Sequence, residues 1–116
     1  YERQQDWQAA IADYTQTLQL QPKYIPAWMN RGNAYAAIAR YEVAMSDFQQ
    51  VTQLEPANAM AYANVGRMFK LLGKRSDAKD TLQLAAQLAF NQSNFGLHRK
   101  IIAEFQAIDS GDSQWT

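Results

Sequence analysis

Landmark residues in this chain return every 34 positions, and that spacing limits its fold more than any other feature. Pro22 and Pro56, Trp7 and Tyr41, Ala10 and Ala44, Tyr14 and Phe48, and Leu20 and Leu54 are separated by it. So are Trp28 and Tyr62, Asn30 and Asn64, Gly32 and Gly66, Tyr35 and Phe69, and Ala44 and Ala78. A unit of that size cannot bury its own apolar face. A chain with this period therefore stacks its units, and each borrows its neighbour's surface to complete the core.

Inside each unit the apolar residues keep helical spacing. From Asp6, a candidate cap, Trp7, Ala10, Ile11, Tyr14 and Leu18 recur at intervals of three and four, which predicts a helix ending near Leu20. Residues 1–4 read as the end of an earlier helix. Pro22 cannot extend the hydrogen-bond ladder and closes the unit. Pro26 suits the first turn of the next helix, where its missing donor costs little. Along that helix, to about Ile38, Trp28, Gly32 and Tyr35 form a packing stripe with Arg31 beside it. Pro26, Met29, Asn30, Asn33 and Ala37 form another face. A mid-helix glycine costs about 0.8–1 kcal/mol relative to alanine, so Gly32 implies a close approach of the partner helix, with Ala44 expected opposite. The helix over 41–53 buries Tyr41, Ala44, Met45, Phe48, Val51 and Thr52. Two more follow at about 59–72 and 76–89, joined at Gly73, and Ser93 or Asn94 caps a last one carrying Phe95, His98, Ile101, Ile102, Phe105 and Ile108.

The order of aromatic, glycine, tyrosine, alanine, aromatic and proline resembles the tetratricopeptide repeat. Trp28, Gly32, Tyr35, Tyr41, Ala44, Phe48 and Pro56 fill its landmark positions in the central unit. The resemblance covers about residues 1–90. It implies an all-α fold, a right-handed solenoid of stacked antiparallel helix pairs with a C-terminal capping helix. One domain is expected over 1–109, with a truncated first repeat at 1–22, repeats at 23–56 and 57–90, the capping helix at 93–109 and a disordered tail at 110–116. Three positions depart from the family: Ala39 replaces the turn glycine, Arg75 an aromatic, and Phe90 the proline. Tyr1 falls within a repeat, so the natural protein is expected to begin upstream.

Several function classes find no support. Lys plus Arg equals Asp plus Glu, 11 each, so no net field draws the chain to nucleic acid or an acidic membrane. No apolar run approaches the roughly 20 residues a membrane span needs. Cysteine is absent and His98 is the only histidine, which removes thiolate and histidine-pair metal sites. No phosphate-cradling loop or nucleophile elbow occurs. Glu42, Asp47, Asp77 and Asp80 read as solvated helix faces or caps. The expectation is a non-enzyme without a cofactor, with a cytoplasmic location favoured.

In the family, the first helix of each repeat lines a concave groove that takes an extended peptide or a partner's helix. By that resemblance the binding residues are Met29, Asn30, Asn33, Met60, Asn64, Arg67 and Lys70. Asn30 and Asn64 offer an acceptor and two donors each, suited to the main chain of an extended ligand. Arg67 and Lys70 would favour an acidic peptide or a terminal carboxylate. The carboxylate clamp of chaperone-binding relatives is not matched, because Met60 and Asn64 stand where it needs lysine and arginine. The expected partner is a protein or peptide; the alternatives are a module that assembles a larger complex or self-associates, through the N-terminal edge or the terminal helix, and a regulatory segment of a larger protein.

Overall fold

The computed structural model describes the backbone of residues 2–115 and the side chains of residues 5–108. The fold is all-α and, among the described residues, contains no strand. The helices are α1 (Glu2–Leu20), α2 (Ile25–Ala37), α3 (Tyr41–Leu54), α4 (Ala59–Leu71), α5 (Arg75–Asn91) and α6 (Phe95–Trp115). The chain divides into two compact units, Tyr1–Pro56 and Ala57–Thr116.

In the first unit α2 packs against both α1 and α3. Its α1 corrects the expected break near Asp6, being one helix from Glu2 to Leu20. Glu2, Arg3, Gln4 and Gln5 are all good helix formers, and no glycine or proline interrupts them. Asp6 therefore lies inside a helix, where the preceding turn already takes the backbone donors a cap would serve. The side chains of 1–4, assigned to an earlier helix by the sequence, lie outside the described residues.

Gly32 forms the notch its position implies, filled by a different residue. A Cβ added there would lie 2.5 Å from Cε1 of Phe48, whose side chain is buried on α3. Ala44 is fully buried as expected, but the ring of Phe48 is what occupies the space beside Gly32. The second unit repeats the device with an aliphatic residue. A Cβ on Gly66 would lie 2.9 Å from Cγ and Cδ2 of Leu82 and 3.4 Å from the carbonyl oxygen of Ala78.

Three helices end in the same turn. After α2, Ala39 N–H donates to Ala36 O and Arg40 N–H to Tyr35 O, at 3.0 and 2.9 Å. After α4, Gly73 and Lys74 donate to Lys70 and Phe69, and after α5, Ser93 and Asn94 donate to Phe90 and Ala89. This double bond pattern needs a left-handed residue at its centre. Ala39, Gly73 and Ser93 take φ of 63°, 80° and 60°. Glycine adopts that conformation readily because it has no Cβ to clash with the backbone. Ala39→Gly is expected to raise stability by roughly 0.5–1 kcal/mol, the relieved strain being partly offset by glycine's freer unfolded chain. Denaturant titration checks this, and a midpoint that falls would contradict it.

Proline explains a difference between the outer helices. α3 stops at Leu54, two residues before Pro56, whereas α5 runs on past Phe90 to Asn91 because no proline ends it. Asn94 is the residue that caps α6, its Oδ1 accepting from Leu97 N–H at 3.3 Å, while Ser93 serves the turn. Asn58 caps α4 in the same way, accepting from Ala61 N–H at 3.0 Å. Along α6, Ile101 and Ile108 enter one cluster with Ala78, Leu82, Ala85, Ala86 and Ala89. The backbone of α6 is helical to Trp115, past the point where the sequence ends the capping helix. The expected tail at 110–116, with Trp115, has its side chains outside the described residues.

Candidate functional site

Met29, Asn30 and Asn33 share one strip of α2, as their spacing predicts. Asn30 and Asn33 are exposed and Met29 is half-buried. Neither amide is held in a side-chain hydrogen bond with a described residue. In the second unit Met60 is 41% exposed on the first turn of α4, and Lys70 is exposed near its end.

Asn64 and Arg67 differ from expectation. Asn64 is buried, only 8% exposed, whereas Asn30 at the same place in its own repeat is open. Its Oδ1 accepts a hydrogen bond from Nη1 of Arg67. Arg67 in turn donates from Nε and Nη2 to the two carboxylate oxygens of Glu104 on α6, the second contact at 2.8 Å. The presence of α6 causes the asymmetry, because it packs on α5 and also reaches α4. Asn64 is thus not an open amide, and Arg67 not an unpaired cation. Sequence reasoning missed Glu104, although one signal for it exists: it lies 34 positions after Lys70, so α6 places it as a further repeat would.

A second polar knot sits in the first unit. Arg31 donates from Nε to Oδ2 of Asp47 at 2.9 Å, from Nη2 to Oδ1 at 2.7 Å, and from Nη1 to Thr15 Oγ1 at 3.1 Å. The guanidinium also lies 5.1 Å from the ring centre of Trp28 and 5.9 Å from that of Tyr35. Asp47, read from sequence as solvated, is 3% exposed and corrects that reading. A carboxylate leaves water only with a partner that replaces its hydration, and the fork of Arg31 supplies two charge-assisted bonds. The bond to Asp47 and its charge hold the guanidinium above its ordinary pKa, against the opposing effect of burial. These groups tie α1, α2 and α3 together and belong to the fold rather than to ligand binding. Glu42, Asp77 and Asp80 are exposed, as read.

His98 is also structural. Its Nδ1 lies 2.9 Å from the carbonyl oxygen of Ala86, which can only accept, so Nδ1 carries the proton. Its ring packs 5.3 Å from that of Phe90. No group of three or more histidine, aspartate or glutamate side chains that could hold a metal exists among the described residues. No described helix is long and apolar enough to cross a membrane.

The sequence profile of the tetratricopeptide repeat matches residues 1–89. This chain belongs to the tetratricopeptide-repeat family. Solved structures with the same fold include the TPR2B domain of yeast Sti1 in complex with pHsp70, at 21% identity. It has a TM-score of 0.85 and covers 96% of this chain and 89% of that one. The first tetratricopeptide domain of Spaghetti (RPAP3), bound to an HSP90 peptide, is 24% identical, with a TM-score of 0.81 and coverage of 97% and 85%. The Yersinia enterocolitica type III secretion chaperone SycD, in complex with a peptide of the translocator YopD, is 16% identical, with a TM-score of 0.83 and coverage of 92% and 82%. Among curated protein sequences none matches this tetratricopeptide-repeat chain.

Proposed function

We propose that the chain is a protein-interaction module that binds an extended segment or a helix of a partner protein on the first helices of its repeats. In the first unit the contact residues are Met29, Asn30 and Asn33 on α2; in the second they are Met60 and Lys70 on α4, with Asn64 and Arg67 beside them on the same helix. The observation that carries this reading is the pair of exposed amides on α2, neither of which forms a side-chain hydrogen bond with a described residue. Each offers an acceptor and two donors, enough to pair with the main chain of a ligand irrespective of its side chains. Family membership supports it, as do the Sti1, Spaghetti and SycD structures, each a complex with a partner or a peptide. Binding to such a face is favoured by pre-organisation, since helix packing within each unit already fixes the spacing of that unit's contact residues. No catalytic role or cofactor is part of this reading.

Asn64 is a poor target for a test because its amide supports Arg67. Asn30→Ala combined with Asn33→Ala avoids that difficulty. The partner segment would be recovered by affinity capture with the full-length protein, identified by mass spectrometry, and titrated calorimetrically. With about 0.5–1.5 kcal/mol for each hydrogen bond lost, the double variant should bind it roughly 5- to 100-fold more weakly and melt within a few degrees of the parent. Undiminished affinity would remove the α2 amides from the binding face.

A second reading, self-association, is favoured by apolar side chains on α1, where Trp7 is 40% and Leu20 83% exposed. Light scattering across a concentration series separates the two. A monomer mass at every concentration counts against self-association.

A further inference from the structure

The second unit brings its own acidic side chain to the cationic position of α4. Arg67 presents Nε and Nη2 to the two oxygens of Glu104, and Nη1 to the amide oxygen of Asn64. Such a fork is how arginine recognises a carboxylate from any source, ligands included. Buried Asn64 fixes the plane of the guanidinium, so the position is pre-set. Arg67 lies one turn beyond Asn64 and two beyond Met60, the places where the family's carboxylate clamp would need its cations.

The pair can exchange. The side chains of Arg67 and Glu104 are 26% and 25% exposed, so water reaches both, unlike the 4% of Asp47 in the first unit. Nor does α6 depend on this contact to stay in place. Ile101 and Ile108, 0% and 4% exposed, anchor it in the apolar cluster with α5. Glu104 can therefore swing away while its helix remains docked. Lys70, exposed one turn further along α4, adds a second positive charge for an incoming anion.

We propose that Asn64 and Arg67 form a carboxylate subsite filled by Glu104 as a built-in ligand, and that a carboxylate of the partner segment binds there by replacing it. This deepens the interaction-module reading and rests on it. Because Glu104 is tethered, it competes at an effective concentration of roughly millimolar order or above. It weakens acidic ligands selectively and leaves neutral ones unaffected, so the capping helix sets which partners the second unit accepts.

The test uses three fluorescein-labelled hexapeptides, with binding read by anisotropy. One carries glutamate side chains and an amidated end, one is neutral with a free C-terminal carboxylate, and one is neutral and amidated. Glu104→Gln should bind at least one carboxylate-bearing peptide roughly tenfold or more tightly than the parent, with no gain for the neutral amidated peptide. Which peptide gains identifies a side-chain or a terminal carboxylate as the source. Adding Arg67→Gln to Glu104→Gln should abolish the gain. Should Glu104→Gln disturb the docking of α6, seen as lost helicity, Glu104→Asp keeps the charge, shortens its reach and should show a smaller gain of the same selectivity. The subsite is overturned by no gain for either carboxylate, by an equal gain for the neutral peptide, or by a gain that survives Arg67→Gln. Each of those results leaves the role of Asn30 and Asn33 standing, because their effect on the partner segment is measured separately.

Discussion

Arg31→Met is expected to destabilise the first unit by about 3–5 kcal/mol, the range for removing one partner of a buried ion pair. The loss comes less from the attraction itself than from what remains. Asp47 is 3% exposed, and without Arg31 its carboxylate would keep neither its two hydrogen bonds nor its counter-charge. Thr15 Oγ1 would lose its donor as well, although it still donates to the carbonyl of Ile11 at 2.7 Å. Methionine retains much of the stem that packs beside Trp28 and Tyr35, so the variant isolates the charge. Adding Asp47→Leu to Arg31→Met should recover a large part of the loss, since an apolar pair of similar volume leaves no stranded charge. Urea titrations of the parent, both single variants and the double variant measure this cycle. A double variant as unstable as the sum of the singles would mean that the pair contributes no coupling.

Phe48→Ala is expected to cost about 3–5 kcal/mol, the range for emptying an aromatic site in a core. Phe48 is 1% exposed, and its ring fills the notch that Gly32 leaves in α2. The reverse substitution probes the same contact. Gly32→Ala gains about 0.8–1 kcal/mol of helix propensity, yet its Cβ would lie 2.5–2.9 Å from Cε1, Cζ and Cδ1 of Phe48. An aromatic ring yields little to such an intrusion. Gly32→Ala should therefore lower stability in the parent and raise it when Phe48 is already alanine. That change of sign, read from denaturation midpoints of the four proteins, attributes the glycine to packing; a stabilising Gly32→Ala in the parent would refute it.

The recurrence of Pro22 and Pro56, with the helical spacing between them, is enough to read nearly every helix and the close approach at Gly32. Such features follow from local chemistry: proline removes a donor, and a mid-helix glycine has to compensate for its cost. What escaped the sequence depends on a partner elsewhere in the chain. Periodicity can assign Asp47 to a side of α3 but cannot reveal that Arg31, 16 residues earlier on another helix, takes it out of water. Asn30 and Asn64 are equivalent by spacing, yet Glu104 and α6 make one a structural group and leave the other open. Ala39 was recognised as a missing glycine, while the left-handed backbone it adopts became visible only with the three turns side by side. The candidate site was thus readable as a set of helix positions, and only partly as a set of available side chains.

The Arg31–Asp47 knot of the first unit thus belongs to the fold, whereas the open side chains of α2 and α4 are assigned to binding, with Arg67 and Asn64 joining them where a ligand carboxylate replaces Glu104. A direct check is a two-dimensional 15N correlation spectrum of side-chain amides, recorded while the partner segment is added. The Asn30 and Asn33 NH2 signals should shift in a saturable way with the same dissociation constant that calorimetry gives. Saturable shifts confined to the amides of Gln49 and Gln53 on α3, with Asn30 and Asn33 unmoved, would place the partner on the opposite helix and contradict the assignment.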